Sequence, residues 1–261
     1  MPKLLRSGHE FLQYQPRPII PIIRNRILPL QSFMILWGDF DTWKSWLMLD
    51  LGWSVAQGEP WIIFGTNKYN VLLLNTELPE DLYHERWTIM TQTRKSCPDN
   101  FYTVHDSTIK LDTPQGQAQL SQWIENSGAK LVIIDNLYRT FSGDVNNGVQ
   151  ANKMLDTFNT LRDIHGCSFA IVHHSRKTSY DIARQQVIRR GAEDLTGSKY
   201  LANNMATIFE SRKVTIDGID RAIQLIPEKM WFEATPPPPL NLAVVDTQFT
   251  LVSGYAKGGI V

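Results

Sequence analysis

The stretch GDFDTWKS, residues 38 to 45, has the residue types of a phosphate-binding loop. Such loops follow the pattern Gly, four residues, Gly, Lys and Ser or Thr, between a strand and a helix. Backbone N–H groups hold phosphate oxygens, the Lys44 ammonium neutralises the terminal phosphates and the Ser45 hydroxyl ligates Mg²⁺. The expected contacts to a nucleotide are Gly38, Asp39, Phe40, Asp41, Thr42, Trp43, Lys44, Ser45 and Trp46.

Trp43 departs from this pattern, because it stands where the second glycine belongs. If the backbone needs a positive φ there, a tryptophan costs about 1–2 kcal/mol, which is roughly ten- to thirty-fold in affinity. Asp39 and Asp41 also bring negative charge toward the phosphates. The alternative interpretation is a strand-to-helix turn that contains Lys-Ser without binding phosphate.

Polar side chains follow three other apolar runs. LVIIDN places Asp135 at a strand end, in reach of the Mg²⁺ water shell, unless it is an ordinary strand-terminal acid. NTELP places Glu77 where it could accept a proton from water, or face a helix macrodipole. SFAIVHH ends in His173 and His174, which point to opposite faces of a strand, so one of them can sense a terminal phosphate.

The elements that must position these residues alternate between strand and helix. Apolar runs predict strands at 33–37, 61–64, 71–75, 101–105, 131–135 and 168–174. Helical spacing and end signals predict helices at 45–57, 80–93, 114–127 and 150–164. This alternation predicts an α/β fold with a mainly parallel sheet flanked by helices. Strand-like segments at 206–214, 222–232 and 242–252 lack intervening helices and predict an antiparallel C-terminal extension.

The domain organisation is expected to be simple. We expect an N-terminal arm, residues 1–30, and a single domain over residues 31–261, because the proline run at 236–239 is too short to separate domains. The arm is rich in isoleucine at 19, 20, 22 and 23, which a short arm cannot bury by itself. It is expected either to pack on a neighbouring subunit or to close an edge of its own sheet.

Composition limits the function further. The chain has 261 residues, with 26 Lys and Arg against 26 Asp and Glu, so it is not a polycation that coats nucleic acid or membrane. A polyanion must then meet a local basic patch, and the candidates are Arg176, Lys177, Arg184, Arg189 and Arg190. Their alternative is a solvated loop or an amphipathic helix. Two cysteines without framework spacing, and no apolar run of membrane length, predict a cytoplasmic protein that does not bind membranes.

The order GDFDTWKS, NTELP, LVIIDN, IVHHSRK, LTGS and LIPEKMWF resembles the RecA-fold P-loop ATPases over roughly residues 30 to 255. Within them it is similar to the hexameric helicase branch: RepA-type plasmid helicases, DnaB-type replicative helicases and KaiC-like proteins. The resemblance implies a RecA-like core that binds ATP and Mg²⁺. A bulky residue before Lys-Ser is a feature of the RepA-type subgroup.

The resemblance also implies roles for individual residues. Lys44 and Ser45 hold phosphate and Mg²⁺, Glu77 orients the attacking water, Asp135 is the Walker B acid and His174 senses the γ-phosphate. Lys229 matches the lysine of a Lys-x-Arg pair that is inserted into a neighbour's site. Trp231 stands where the arginine of that pair would be, so Arg212 or Lys213 replaces it or hydrolysis is slow.

The partners implied are further copies of the chain in a ring, a hexamer in those helicases, and single-stranded DNA in its channel. A replication initiator, a primase or a loader could also bind. The function implied is a DNA-stimulated motor of replication. A nucleotide-controlled regulatory oligomer of KaiC type is the alternative, and a nucleotide-free scaffold is a third reading.

Overall fold

A computed structural model describes residues 5–15, 18, 20–143, 148–174, 179–181, 186–188, 198–216, 218–231 and 237–252. Its strands are β1 (Pro21–Ile23), β2 (Leu28–Pro29), β3 (Phe33–Gly38), β4 (Val71–Asn75), β5 (Phe101–His105), β6 (Leu131–Asp135), β7 (Ser168–His174), β8 (Ser179–Asp181), β9 (Gln186–Ile188), β10 (Thr207–Ile216), β11 (Ile219–Met230), β12 (Leu240–Val245) and β13 (Gln248–Leu251). Its helices are α1 (Gly8–Leu12), α2 (Lys44–Gln57), α3 (Glu80–Arg94), α4 (Pro114–Ser127), α5 (Gly148–His165) and α6 (Ser198–Asn204).

The central sheet has nine strands in the order β13-β12-β11-β10-β3-β7-β6-β4-β5. The strands from β10 to β5 in that order are parallel, and β10 to β13 pair antiparallel. The carboxyl ends of β3, β4, β6 and β7 therefore meet at one edge, where ligands bind in open α/β sheets. The predicted fold class is confirmed, including the antiparallel extension at the C-terminus.

Both faces of the sheet are covered, which is why its central strands read as continuous apolar runs. Side chains of β3 alternate: Met34 and Leu36 pack with α2 and α3 in one core cluster, and Ile35 and Trp37 pack with α4 and α5 in the other. The result is a three-layer arrangement with the sheet between two layers of helices.

Helix ends follow the local signals in the sequence. Gly58 and Gly128 adopt left-handed conformations after α2 and α4, and the Thr113 hydroxyl caps α4 just before Pro114. The predicted helices are confirmed to within two residues.

Two strand predictions were wrong in detail. Residues 61–64 form a reverse turn, in which Trp61 and Phe64 exchange backbone hydrogen bonds of 2.8 and 2.9 Å around Ile62 at φ 59°. Their apolar character serves core packing instead of a strand. The segment 242–252 is a hairpin, because Asp246 and Thr247 both have positive φ and turn the chain between β12 and β13.

The isoleucines of the N-terminal segment lie in two environments. Ile22 and Ile23 are fully buried in the core cluster of α2, through the two-stranded sheet of β1 and β2. Ile20 is half-exposed, and Ile19 lies outside the described residues. The β1–β2 hairpin is thus packed within its own chain, whereas α1 buries no residue.

Candidate nucleotide-binding site

The loop between β3 and α2 has the backbone of a phosphate-binding loop. A Cβ on Gly38 would lie 2.2 Å from the backbone oxygen of Ser211, so only glycine fits at this position. Trp43, directly before α2, has φ 63° and ψ 17°, which is the left-handed region. The positive φ considered for Trp43 is therefore present, and tryptophan occupies a conformation that favours glycine.

Lys44 lies inside this loop, with only 5% of its surface exposed. Its ammonium group donates to the backbone oxygen of Asp39 and to the Thr42 hydroxyl, which is 3.1 Å away. Burial lowers the pKa of Lys44 to about 8, although the charges of Asp135, Asp39 and other nearby acids oppose this. Phosphate oxygens would favour its charged form.

The aspartates of the loop do not both face the phosphates. The Asp41 side chain is 92% exposed and its carboxylate lies 3.7 Å from the Lys213 ammonium. Asp39 contributes its backbone oxygen to Lys44. The Asp41 carboxylate is thus largely exposed and lies beside Lys213 of β10.

Asp135 and Ser45 form the part of the site that fits a divalent cation. Burial raises the pKa of Asp135, and the Ser45 hydroxyl beside it lowers that pKa. Among the described residues, no group donates a hydrogen bond to its buried Oδ1 atom. A buried carboxylate oxygen without a partner, next to a hydroxyl, offers the oxygen ligands that Mg²⁺ prefers.

Glu77, Asn136 and His174 form a hydrogen-bonded cluster beside Asp135. The Asn136 amide donates to Glu77 Oε2 at 2.7 Å and lies 3.2 Å from His174 Nε2. His174 lowers the pKa of Glu77 to about 2, and its Nε2 atom lies 3.8 Å from Glu77 Oε2. Burial raises this pKa, and the hydrogen bond from Asn136 lowers it further. Glu77 is therefore ionised at neutral pH.

The two histidines of β7 separate as expected for neighbours on a strand. His174 faces the cluster, whereas His173 is fully buried and its Nδ1 accepts a hydrogen bond from the His174 backbone at 2.9 Å. The exposed ring of Phe40 stacks on His174 with 4.9 Å between ring centroids.

A cavity of about 280 Å³ lies at the carboxyl edge of the sheet. It contains Phe40, Asp41, Thr42, Trp43, Lys44, Ser45, Trp46, Glu77, Leu78, Arg86, Asp135, Val172 and His174. The structure thus brings together the predicted loop, Glu77, Asp135 and His174, although the loop and His174 are more than a hundred residues apart in the chain.

Two polar residues of this site were missed from the sequence. Asn136 follows Asp135 directly, and its position after a strand end was the available signal. Arg86 comes from α3 and its guanidinium lies 5.2 Å from the ring centroid of Trp46. Nothing in the local pattern around Arg86 distinguishes it from the other charged residues of that helix.

Lys229 and Arg212 are not among the residues that line this cavity. Lys229 pairs with Ile208 of β10, and Ile208 in turn pairs with Ile35 in the middle of β3. The Lys229 ammonium donates to the backbone oxygens of Ala202 and Asn203, at 2.6 and 3.1 Å. Arg212 makes an ion pair with the buried Glu210, with distances of 3.0 and 2.6 Å.

The predicted basic patch stays a prediction. Arg176, Lys177, Arg184, Arg189 and Arg190 lie outside the described residues.

A phosphate-binding loop after the central strand β3, with an acid at the end of β6, defines a RecA-fold P-loop ATPase domain. Residues 3–180 match the AAA domain family AAA_25, so the chain belongs to that family. No curated protein matches the sequence significantly. Among solved structures, the crystal structure of the RadB recombinase is similar, with a TM-score of 0.59, 15% identity and coverage of 85% of this chain and 91% of that chain. At this identity the likeness concerns the fold.

Proposed function

We propose that this protein is a Mg²⁺-dependent ATPase that assembles into a homo-oligomeric ring, a hexamer, and moves on single-stranded DNA. The observation that carries the ATPase activity is the convergence of Lys44, Ser45, Glu77, Asp135 and His174 on one cavity. The ring and the motor rest on the sequence resemblance to RepA- and DnaB-type helicases.

Each side chain has a distinct task in this proposal. The Lys44 ammonium and the backbone N–H groups at the start of α2 hold the phosphates. A bound Mg²⁺ would neutralise phosphate charge, and Ser45 and Asp135 would hold it. Glu77 accepts the hydrogen bond of the attacking water and receives its proton. Asn136 and His174 keep the Glu77 carboxylate ionised and oriented.

The proposed site takes a cation from another subunit. Lys229 pairs halfway down the sheet and cannot reach the loop that follows its own β3, so it would serve a neighbour's site. Trp231, 51% exposed, stands beside it where the resemblance places an arginine. Arg212 would have to exchange Glu210 for phosphate to take that role.

DNA binding is assigned to the segment that follows β7. This segment begins directly after His174, so the γ-phosphate and the DNA contact would be linked through one strand end. Its predicted phosphate contacts are Arg176, Lys177, Arg184, Arg189 and Arg190, and their loss should reduce the salt dependence of binding. A replication initiator, a primase or a loader would be the further partners of such a motor, in the cytoplasm.

ATP turnover with and without single-stranded DNA tests the motor. Lys44→Ala and Glu77→Gln should abolish turnover, and Glu77→Gln should retain ATP binding. Glu80→Gln is the matched control, because Glu80 is an exposed acid at the start of α3. Turnover that is absent in the wild type, or indifferent to DNA, would contradict the motor.

A nucleotide-controlled regulatory oligomer is a second candidate, favoured by Trp231 in place of an arginine. In other phosphoryl-transfer enzymes that arginine is worth about 10³–10⁵ in rate. Mass photometry with a non-hydrolysable ATP analogue separates the two: assembly without appreciable turnover supports the regulator, and a monomer under all conditions contradicts both.

A further inference from the structure

Trp43 lines the proposed phosphate site and two larger cavities. It lines the cavity of about 280 Å³ that contains Lys44, and also cavities of about 670 and 650 Å³ on the side of the antiparallel extension. The first of these two is bounded by α3 and the β12–β13 turn, and the second by β10 and β11. Arg221 lines both of them.

The Trp43 indole is held in place by packing. It is half-buried against the core cluster of α2, and its ring centroid lies 6.4 Å from that of Trp46. The residue keeps a left-handed backbone that glycine would adopt without strain. Strain of this kind persists where the surrounding structure holds it and is concentrated at ligand sites.

The chemistry around the indole suits a planar ring with polar edges. Ile89 and Val244 supply apolar surface, Arg221 supplies a cation, and Asp246, Thr247 and Gln248 supply hydrogen-bonding groups at the turn. Trp43 is also the residue directly before Lys44, so a ligand whose phosphates lie on Lys44 has its remaining part within reach of this indole. A nucleotide is a ligand of this kind, and a base on the side of the extension would contact the indole.

We propose that Trp43 is the base-stacking residue of the site. Its contact with the nucleobase would compensate for the backbone strain of a tryptophan at a position that favours glycine. This inference rests on the proposed function, since it requires that the phosphates lie on Lys44. Stacking of a base on an aromatic side chain corresponds to roughly 5- to 150-fold in affinity.

Calorimetry with two ligands tests the stacking. Mg·ATP and Mg·tripolyphosphate share the phosphates, and only ATP has a base. Trp43→Gly and Trp43→Ala should reduce the preference for ATP over tripolyphosphate by about 5- to 150-fold, and Trp43→Phe should restore most of it. Trp43→Gly, which relieves the strain, should bind tripolyphosphate at least as well as the wild type. Tyr102→Ala, on the edge strand β5, is the control with unchanged preference.

Three outcomes would overturn the inference. An unchanged preference in both variants means that the base does not touch Trp43. Equal loss of both ligands means that Trp43 acts only through the loop backbone. Tighter ATP binding by Trp43→Gly, with unchanged tripolyphosphate binding, means that the indole fills the base position. Failure of the wild type to bind either ligand would instead contradict the proposed function, and the stacking with it.

Discussion

Lys44 shows how burial prepares a single residue for an anion. Its ammonium group belongs to a residue that is only 5% exposed, and it donates to a backbone oxygen and a hydroxyl oxygen of its own loop. The free protein therefore holds a lysine whose pKa is lowered to about 8. An arriving phosphate both compensates the lost hydration and raises that pKa.

Binding of Mg·ATP is expected to take up protons near pH 8. Part of the Lys44 population is neutral there in the free protein and becomes charged in the complex, whereas at pH 6 it is charged in both states. Calorimetry in two buffers of different ionisation enthalpy measures the uptake. Lys44→Arg, which stays charged, should lose it. Equal apparent binding enthalpies in both buffers at pH 8 would show that Lys44 is already charged in the free protein.

The Glu77 carboxylate depends on the side chain of Asn136. Asn136→Ala removes a 2.7 Å hydrogen bond and should lower kcat about tenfold, with ATP affinity unchanged. Asn136→Asp keeps the oxygen that accepts from the Arg139 N–H but repels Glu77, so it should also shift the acidic limb of the kcat–pH profile upward. If kcat fell only in Asn136→Ala, the effect would come from the lost hydrogen bond between the Arg139 N–H and Asn136 Oδ1, and not from Glu77.

At the scale of elements, the site is built from loops that follow neighbouring strands. β3, β4, β6 and β7 end at the same edge, and each contributes at its end: the phosphate loop, Glu77, Asp135 and His174. The order of the strands in the sheet differs from their order in the chain, so residues from distant segments become neighbours.

The junction of β3 with the phosphate loop tolerates no side chain. Gly38→Ala should lower the free energy of unfolding by about 1–3 kcal/mol and weaken nucleotide binding, because its Cβ would meet the Ser211 backbone oxygen at 2.2 Å. Thermal unfolding and calorimetry measure the two effects. Gly8→Ala is the control, since nothing lies within 4 Å of that Cβ. Equal melting temperatures for both variants would contradict this account.

At the scale of the whole molecule, the β1–β2 hairpin is part of the core that supports α2. Ile22 and Ile23 pack in the same cluster as the apolar side chains of that helix. Residues 5–15, in contrast, are exposed throughout. Stability is therefore expected to depend on the hairpin and not on the segment before it. No helix within the described ranges is long and apolar enough to cross a membrane.

Ile23→Ala should cost about 2–5 kcal/mol of unfolding free energy, because it leaves a cavity in a fully buried position. Ile20→Ala, at a residue that is 54% exposed, should change it by less than about 0.5 kcal/mol. Denaturant unfolding measures both. Removal of residues 1–14 should leave the midpoint unchanged, and a large loss on that removal would show that the exposed segment supports the fold.

The sequence by itself determined the strands of the parallel sheet, most helix ends and the phosphate loop, because these depend on periodicity, capping residues and backbone preference within a few neighbours. It also indicated Glu77, Asp135 and His174, since each follows an apolar run. Only the tertiary structure decided that Asn136 and Arg86 join them, and that Trp43 lies between three cavities. These features depend on contacts between segments far apart in the chain, for which local patterns carry no signal.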